Sequence, residues 1–256
     1  MSYTAWKVED GIAWITLNRP PANALARAVM DELDDHFETV YKDESIKCVV
    51  IHGEGRFFAA GADIKEFIDV ADAKEFAKLG EKGQETFNKI EQSPKPVIAA
   101  IHGAALGGGL ELAMACHLRV AADDAKFGLP ELNLGLIPGF GGTQRLPRLI
   151  GQSKALELML TSESITGTEA HAYGLVNRVC EPAMLLEEAR KLAQVIAAKS
   201  PLTVARTLTL AKMSEGDLAV GLAEEIASFG DVFAREDRVE GVNAFLEKRK
   251  PVFTGK

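Results

Sequence analysis

Residues 96–131 read PVIAAIHGAALGGGLELAMACHLRVAADDAKFGLPE and hold the features that decide the fold. The run Val97–Ile101 lies between Pro96 and Gly103 and has the length and apolarity of a buried strand. Three successive glycines, Gly107, Gly108 and Gly109, then precede a helical apolar pattern of Leu110, Leu112, Ala113, Met114 and Cys116. Glycines there permit a sharp bend and let another group come close to the main chain. A helix starting at such a turn leaves its first N–H groups unpaired and carries partial positive charge at that end. Glu111 falls in the first turn of this helix, and Glu131 follows Pro130 after the next predicted strand. Singly, each piece has an ordinary reading: a tight turn, an acid compensating a helix dipole, a solvated loop residue. Together in one apolar frame they mark a candidate active site.

Upstream, Ile12–Leu17 reads as a strand closed by the turn Asn18-Arg19-Pro20-Pro21. Ala26 to Tyr41 has helical spacing, with Val29, Met30, Leu33, Phe37 and Val40 on one face. Cys48–Ile51 is a second buried strand, after which the chain turns into FFAAGADIKEF (57–67). That segment repeats the design of the glycine turn: apolar anchors, small residues from Ala59 to Ala62, and a helical pattern from about Asp63. The N–H of Ala62 faces whatever lies against it. Asp72 to Gln92 reads as a polar, amphipathic, mobile helical region whose charges form a solvated face.

Downstream, strands are expected at His117–Ala122, Ala125–Leu129 and Leu175–Val179. Between the last two lies a second glycine-rich turn, Gly135 to Gly142, leading into a helix over Thr143–Ile150. Ser153 and Thr166 are read as N-caps, Thr166 forming a capping box with Glu169. From Pro182 the chain reads as helical throughout, roughly Ala183–Lys199, Leu202–Ser214, Leu218–Phe233 and Arg238–Lys248. Leu222, Ile226, Phe229, Val232 and Phe233 would be exposed on a lone chain, which suggests packing on another subunit.

Composition narrows the function class. The 256 residues carry 29 Lys and Arg against 37 Asp and Glu, and a net charge of −8 disfavours a general nucleic-acid surface. Cys48, Cys116 and Cys180 are odd in number and sit in apolar runs, the pattern of buried reduced thiols. The five histidines form no ligand-spaced cluster, so no metal is assigned. The opening MSYTAWKVEDG has neither signal-peptide nor transit-peptide character, and no apolar run reaches membrane-spanning length; a cytoplasmic protein is expected. Gln144 breaks the G-x-G-x-x-G spacing of the second glycine turn, and neither a Walker A sequence nor a G-x-S-x-G elbow occurs.

Two turns that each end at a helix N-terminus can aim N–H groups at one point, the arrangement of an oxyanion hole. Two carboxylates beside it, one protonated and one ionised, can move protons on and off carbon and oxygen. The implied chemistry is proton transfer next to a polarised carbonyl.

The segments NRPPANAL (18–25), FFAAGADIKEF (57–67), PVIAAIHGAALGGGLELAMACHLRVA (96–121), FGLPELNLGLIPGFGGTQRLPRLIG (127–151) and FLEKRKPVF (245–253) resemble the enoyl-CoA hydratase, or crotonase, family, in order over nearly the whole chain. The resemblance implies an α/β fold, a spiral of strand-strand-helix turns over residues 1–195, followed by a helical trimerisation region over 196–256. It implies a homo-trimer, usually paired into a hexamer, acting on acyl-CoA thioesters without a separate cofactor, in fatty-acid oxidation or a related pathway. The N–H groups of Ala62 and Gly108 would bind the thioester oxygen, Glu111 would activate water and Glu131 would exchange the proton at C2. Gly139 N–H would help hold the water. Ala60, Asp63, Ile64 and Lys65 would border coenzyme A, and Lys248 and Lys250 would reach a CoA site. No membrane or nucleic-acid partner is expected. The alternatives are a double-bond isomerase of the same fold, against which the presence of both glutamates argues, and a non-catalytic acyl-CoA-binding homologue.

Overall fold

The computed structural model describes residues 2–68 and 70–256. Its strands are β1 (Thr4–Glu9), β2 (Ile12–Leu17), β3 (Cys48–Gly53), β4 (Val97–Ile101), β5 (Ala104–Leu106), β6 (Leu118–Ala122), β7 (Lys126–Gly128), β8 (Ile165–Thr166) and β9 (Arg178–Cys180). The α-helices are α1 (Arg27–Lys42), α2 (Lys65–Ile68), α3 (Ala73–Glu91), α4 (Gly108–Ala115), α5 (Gly142–Ile150), α6 (Gln152–Thr161), α7 (Gly167–Ala172), α8 (Leu185–Ala197), α9 (Pro201–Met213), α10 (Leu218–Phe233) and α11 (Glu236–Leu246).

Six strands form one sheet in the order β1-β2-β3-β4-β6-β9, parallel except for the β1–β2 hairpin. Asp10 and Gly11, both at positive φ, make the two-residue hairpin turn that Asp-Gly favours. β5, β7 and β8 form a second, smaller sheet. The chain thus winds as a spiral: β4 lies in the large sheet, β5 in the small one, and α4 follows. The preceding turn does the same with β3, a single bridge from Ala59 to Ala105, and then α2 and α3.

Strand alternation sorts the core into two faces. Ala13, Ile15, Val49, Ile51, Ala99 and Ala121 pack toward α1, α4 and the small sheet. Ile12, Trp14, Cys48, Val50, Ile98 and Val120 meet Leu185, Ala189, Leu192 and Ala193 of α8 on the other side. With both faces covered, β3 and β4 read as continuous apolar runs. All five residues expected on the inner face of α1 are buried.

Three local expectations need correcting. Leu175 and Val176 are buried but not in a strand, because both their N–H groups donate to Ala170 O and close α7; the strand starts at Arg178. Ser153 is inside α6, whose N-cap is Gly151, the residue that also ends α5. The capping box at Thr166 and Glu169 is present, but α3 is more than a solvated helix, since Gly83, Thr86, Phe87 and Ile90 are buried. No helix among the described residues is long and apolar enough to cross a membrane. On α10, Ile226 and Phe229 are 75% and 76% exposed, while Val232 is half-buried.

Candidate active site

The two glycine- and alanine-rich turns meet because Gly109 has no side chain. A Cβ there would stand 2.0 Å from Ala59 O, so only glycine lets α4 start this close to the 57–62 segment. Ala59 N–H donates to Ala104 O and Leu106 N–H to Ala59 O, fixing the pair of turns side by side. On this frame the N–H of Ala62 and the N–H of Gly108 have no hydrogen-bond acceptor among the described residues. They are neighbours: a Cβ on Gly108 would lie 3.3 Å from Ala62 N. Such an arrangement suits an anionic oxygen.

Glu111, in the first turn of α4, is 1% exposed. Its Oε1 accepts from Phe140 N–H at 2.9 Å and Gly142 N–H at 2.7 Å. Burial pushes its carboxyl up to about 7, and the nearby Glu131 charge adds to that, while the two N–H bonds and Arg145 pull it down. Glu131 opens the short 3-10 turn Glu131–Leu134 and is half-buried. Its Oε2 is buried without a hydrogen-bond partner among the described residues, and burial raises the carboxyl's pKa. The Glu131 carboxyl reaches Gly107, where φ is +52° and a Cβ would stand 2.9 Å from Oε1.

Both carboxyl groups line one cavity of about 540 Å³. Ala62, Gly108 and Gly139 share its wall, with Ile64, Phe67, Phe76, Leu79 and Ile137 supplying apolar surface. It is a predominantly apolar cleft with a few convergent polar groups, the usual form of a small-molecule site. Gly139 N–H donates to no described residue and is available to a ligand or water.

The predicted coenzyme-contacting residues are divided. Ala60 and Ile64 line the cavity. Asp63 is held by Arg19 and by Lys65 N–H, so it braces its own turn. Lys65 is exposed beside it, and Lys248 and Lys250 are exposed beyond α11; none of the three is in the cavity wall.

Several contributors were not picked out from the sequence. Phe140 and Gly142 supply the N–H donors to Glu111, although the glycine turn containing them stood out. Arg145, inside α5, is 8% exposed and donates to Phe140 O, Asn88 Oδ1 and Glu91 Oε2, tying that turn to α3. Phe76, Ala77, Leu79, Gly80, Glu81 and Gln84 of α3 form one cavity wall.

The profile of the family described as enoyl-CoA hydratase/isomerase matches residues 7–256. The chain is 46% identical to the crotonyl-CoA hydratase of Syntrophomonas wolfei, over 97% of this chain and 96% of that protein. It is 44% identical to the 2,3-dehydroadipyl-CoA hydratase of Escherichia coli, over 97% of each. The crystal structure of an enoyl-CoA hydratase from Bacillus anthracis superposes with a TM-score of 0.96 at 38% identity, covering 99% of this chain and all of that one. Likeness this deep and this complete, in sequence and in the winding of the spiral alike, makes the chain a member of the enoyl-CoA hydratase/isomerase family.

Proposed function

We propose that the protein catalyses the reversible addition of water to trans-2-enoyl-CoA thioesters, giving 3-hydroxyacyl-CoA. The observation that carries this reading is the pair of unlike carboxyl groups facing one cavity beside two free N–H donors. Glu111 has one oxygen saturated by N–H bonds; Glu131 has one oxygen buried with none.

In this reading the thioester oxygen accepts from Ala62 and Gly108 N–H, which stabilise the enolate as charge develops. Water, held by Gly139 N–H and Glu111, attacks C3 as Glu111 Oε2 takes its proton. The C2=C3 electron pair moves toward the thioester, and C2 then receives the proton carried by Glu131. Exchange with solvent returns both carboxyl groups to their starting states, and the same steps reversed eliminate water. Burial raises both carboxyl groups above the ordinary carboxylate value, Glu111 to about 7, so the pair holds a proton more readily than solvated carboxylates do.

Residues 1–195 then act as the spiral core, and residues 196–256 assemble a trimer that pairs into a hexamer. Exposed apolar side chains on α10 and α11, among them Phe233, Val242 and Phe245, support that assembly. Ala60, Asp63, Ile64 and Lys65 border the coenzyme A moiety, and Lys248 and Lys250 approach it across a subunit boundary.

Crotonyl-CoA tests the reading, because hydration removes its conjugated enoyl-thioester absorbance. Wild type should bleach the band, and Glu111→Gln and Glu131→Gln should each cut kcat by about 10² to 10⁴. An unchanged band with folded wild type, or variants that lose binding alone, would refute it; turnover of 3-enoyl-CoA instead would point to an isomerase.

A further inference from the structure

We propose that Gln84 is a positioning residue for Glu111: by donating to the Gly139 carbonyl it fixes the peptide whose N–H holds the Glu111 carboxylate. The proposal deepens the hydratase reading and rests on it for its kinetic assay. A peptide carries its C=O and N–H on one rigid plane. Gln84 Nε2 donates to Gly139 O at 2.8 Å, and Phe140 N–H, in the same plane, donates to Glu111 Oε1 at 2.9 Å. The other N–H on Oε1 belongs to Gly142, and its peptide carbonyl, Gly141 O, accepts from Gln144 and Arg145 N–H at the start of α5. That second peptide is therefore fixed by the helix.

The first has no such support. Gly139 is exposed, a Cβ there would meet nothing within 4 Å, and Gln84 is the one donor to its carbonyl among the described residues. α3 is shaped to bring Gln84 there. A Cβ on Gly83 would stand 2.3 Å from the Phe140 ring, and one on Gly80 would stand 3.5 Å from Gly139 O. Phe87 packs edge-on against Phe140 with ring centroids 5.7 Å apart. Gly80, Gly83, Gln84 and Phe87 recur at helical spacing on one face, and Gln84 is the member that grips the peptide.

Gln84→Leu removes the donor, and Gln84→Glu keeps the length but donates only when protonated. With crotonyl-CoA, Gln84→Leu should lower kcat about tenfold with KM little changed, as expected when a reacting group is slightly misplaced. Its acid limb should move to higher pH, because a weaker Phe140 N–H bond stabilises ionised Glu111 less. Gln84→Leu adds and removes no ionisable group, and Glu131, Arg145 and the cavity's Glu81 are the same in both proteins, so a difference in the limb reports that bond. Gln84→Glu should recover toward wild type, relative to Gln84→Leu, as pH falls. An unchanged kcat, a rise in KM alone or a stationary limb overturns the proposal. Wild type inactive on crotonyl-CoA would defeat the hydratase reading instead. Gln84 is then decided by the infrared carboxyl band of Glu111, with Glu111→Gln as blank: an upward midpoint shift in Gln84→Leu supports it, and none overturns it.

Discussion

Replacing Glu111 by glutamine should nearly abolish activity while stabilising the fold, by an amount that depends on pH. In the folded chain burial pushes the Glu111 carboxyl up to about 7, against an ordinary value of 4.5 once the chain unfolds. Between those two pH values the folded state binds the extra proton, so stability falls as pH rises. Below the lower value both states are protonated and nothing is lost; above the higher one the loss is complete. A shift of this size amounts to roughly 3 kcal/mol. Glutamine keeps the acceptor oxygen for the Phe140 and Gly142 N–H groups without the charge. Thermal melts of the two proteins across this range should diverge from near coincidence at the acid end to a gap of about 6–12 °C above pH 7, taking ~2–4 °C per kcal/mol for a chain of this size. A gap that stays constant with pH, or a wild type that melts higher at alkaline pH, would refute the argument that catalysis here uses a carboxylate held at a cost to stability.

Two further outcomes test the frame around that carboxylate. Gly109→Ala puts a methyl 2.0 Å from Ala59 O and 2.7 Å from its carbonyl carbon, so the two turns must part by roughly 1 Å, enough to cost about 10² in kcat. Stability should fall as well, by about 1–3 kcal/mol from overpacking, read as a lower melting temperature; near-normal turnover would show that the spacing of the Ala62 and Gly108 donors does not matter. On α10, Phe229→Asp should shift sedimentation from the proposed trimer or hexamer toward monomer, and an unchanged mass would remove this helix from the proposed interface.

What could be read from the sequence follows the range of the interactions involved. The inner face of α1 and the buried strands β3 and β4 are written in local periodicity, and they appear where expected. The hairpin of β1 carried its own signal in Asp10-Gly11, but Lys7 and Glu9 dilute the alternation and the strand was not drawn. Leu175 and Val176 show the opposite error: the apolar run reads as a strand, yet their N–H groups are committed to ending a helix. Gly107 to Gly109 mark the candidate site in the sequence because a run of glycines before an apolar helix constrains geometry whatever lies opposite.

The family resemblance implies that the Asp72–Gln92 region helps shape the acyl pocket, but which α3 residues build the wall is hidden from local pattern for a different reason. By periodicity the helix is a polar amphipath with a solvated face. Its role depends on the loop 139–142, which is far away in sequence: Gly83 is glycine because Phe140 fills the space, and Gln84 meets a carbonyl. Nothing in the local pattern distinguishes such a glycine from a weak helix former, or such a glutamine from a solubilising one. The same holds for Phe140 and Gly142, whose service to Glu111 is by backbone N–H and leaves no mark on side-chain identity beyond the need for a small residue at 142, where a Cβ would stand 2.9 Å from Glu111 Oε1. Carboxylates and glycine turns can be found from sequence. What holds them in register is main-chain hydrogen bonding and steric absence, and those become visible only once the fold has brought the partners together.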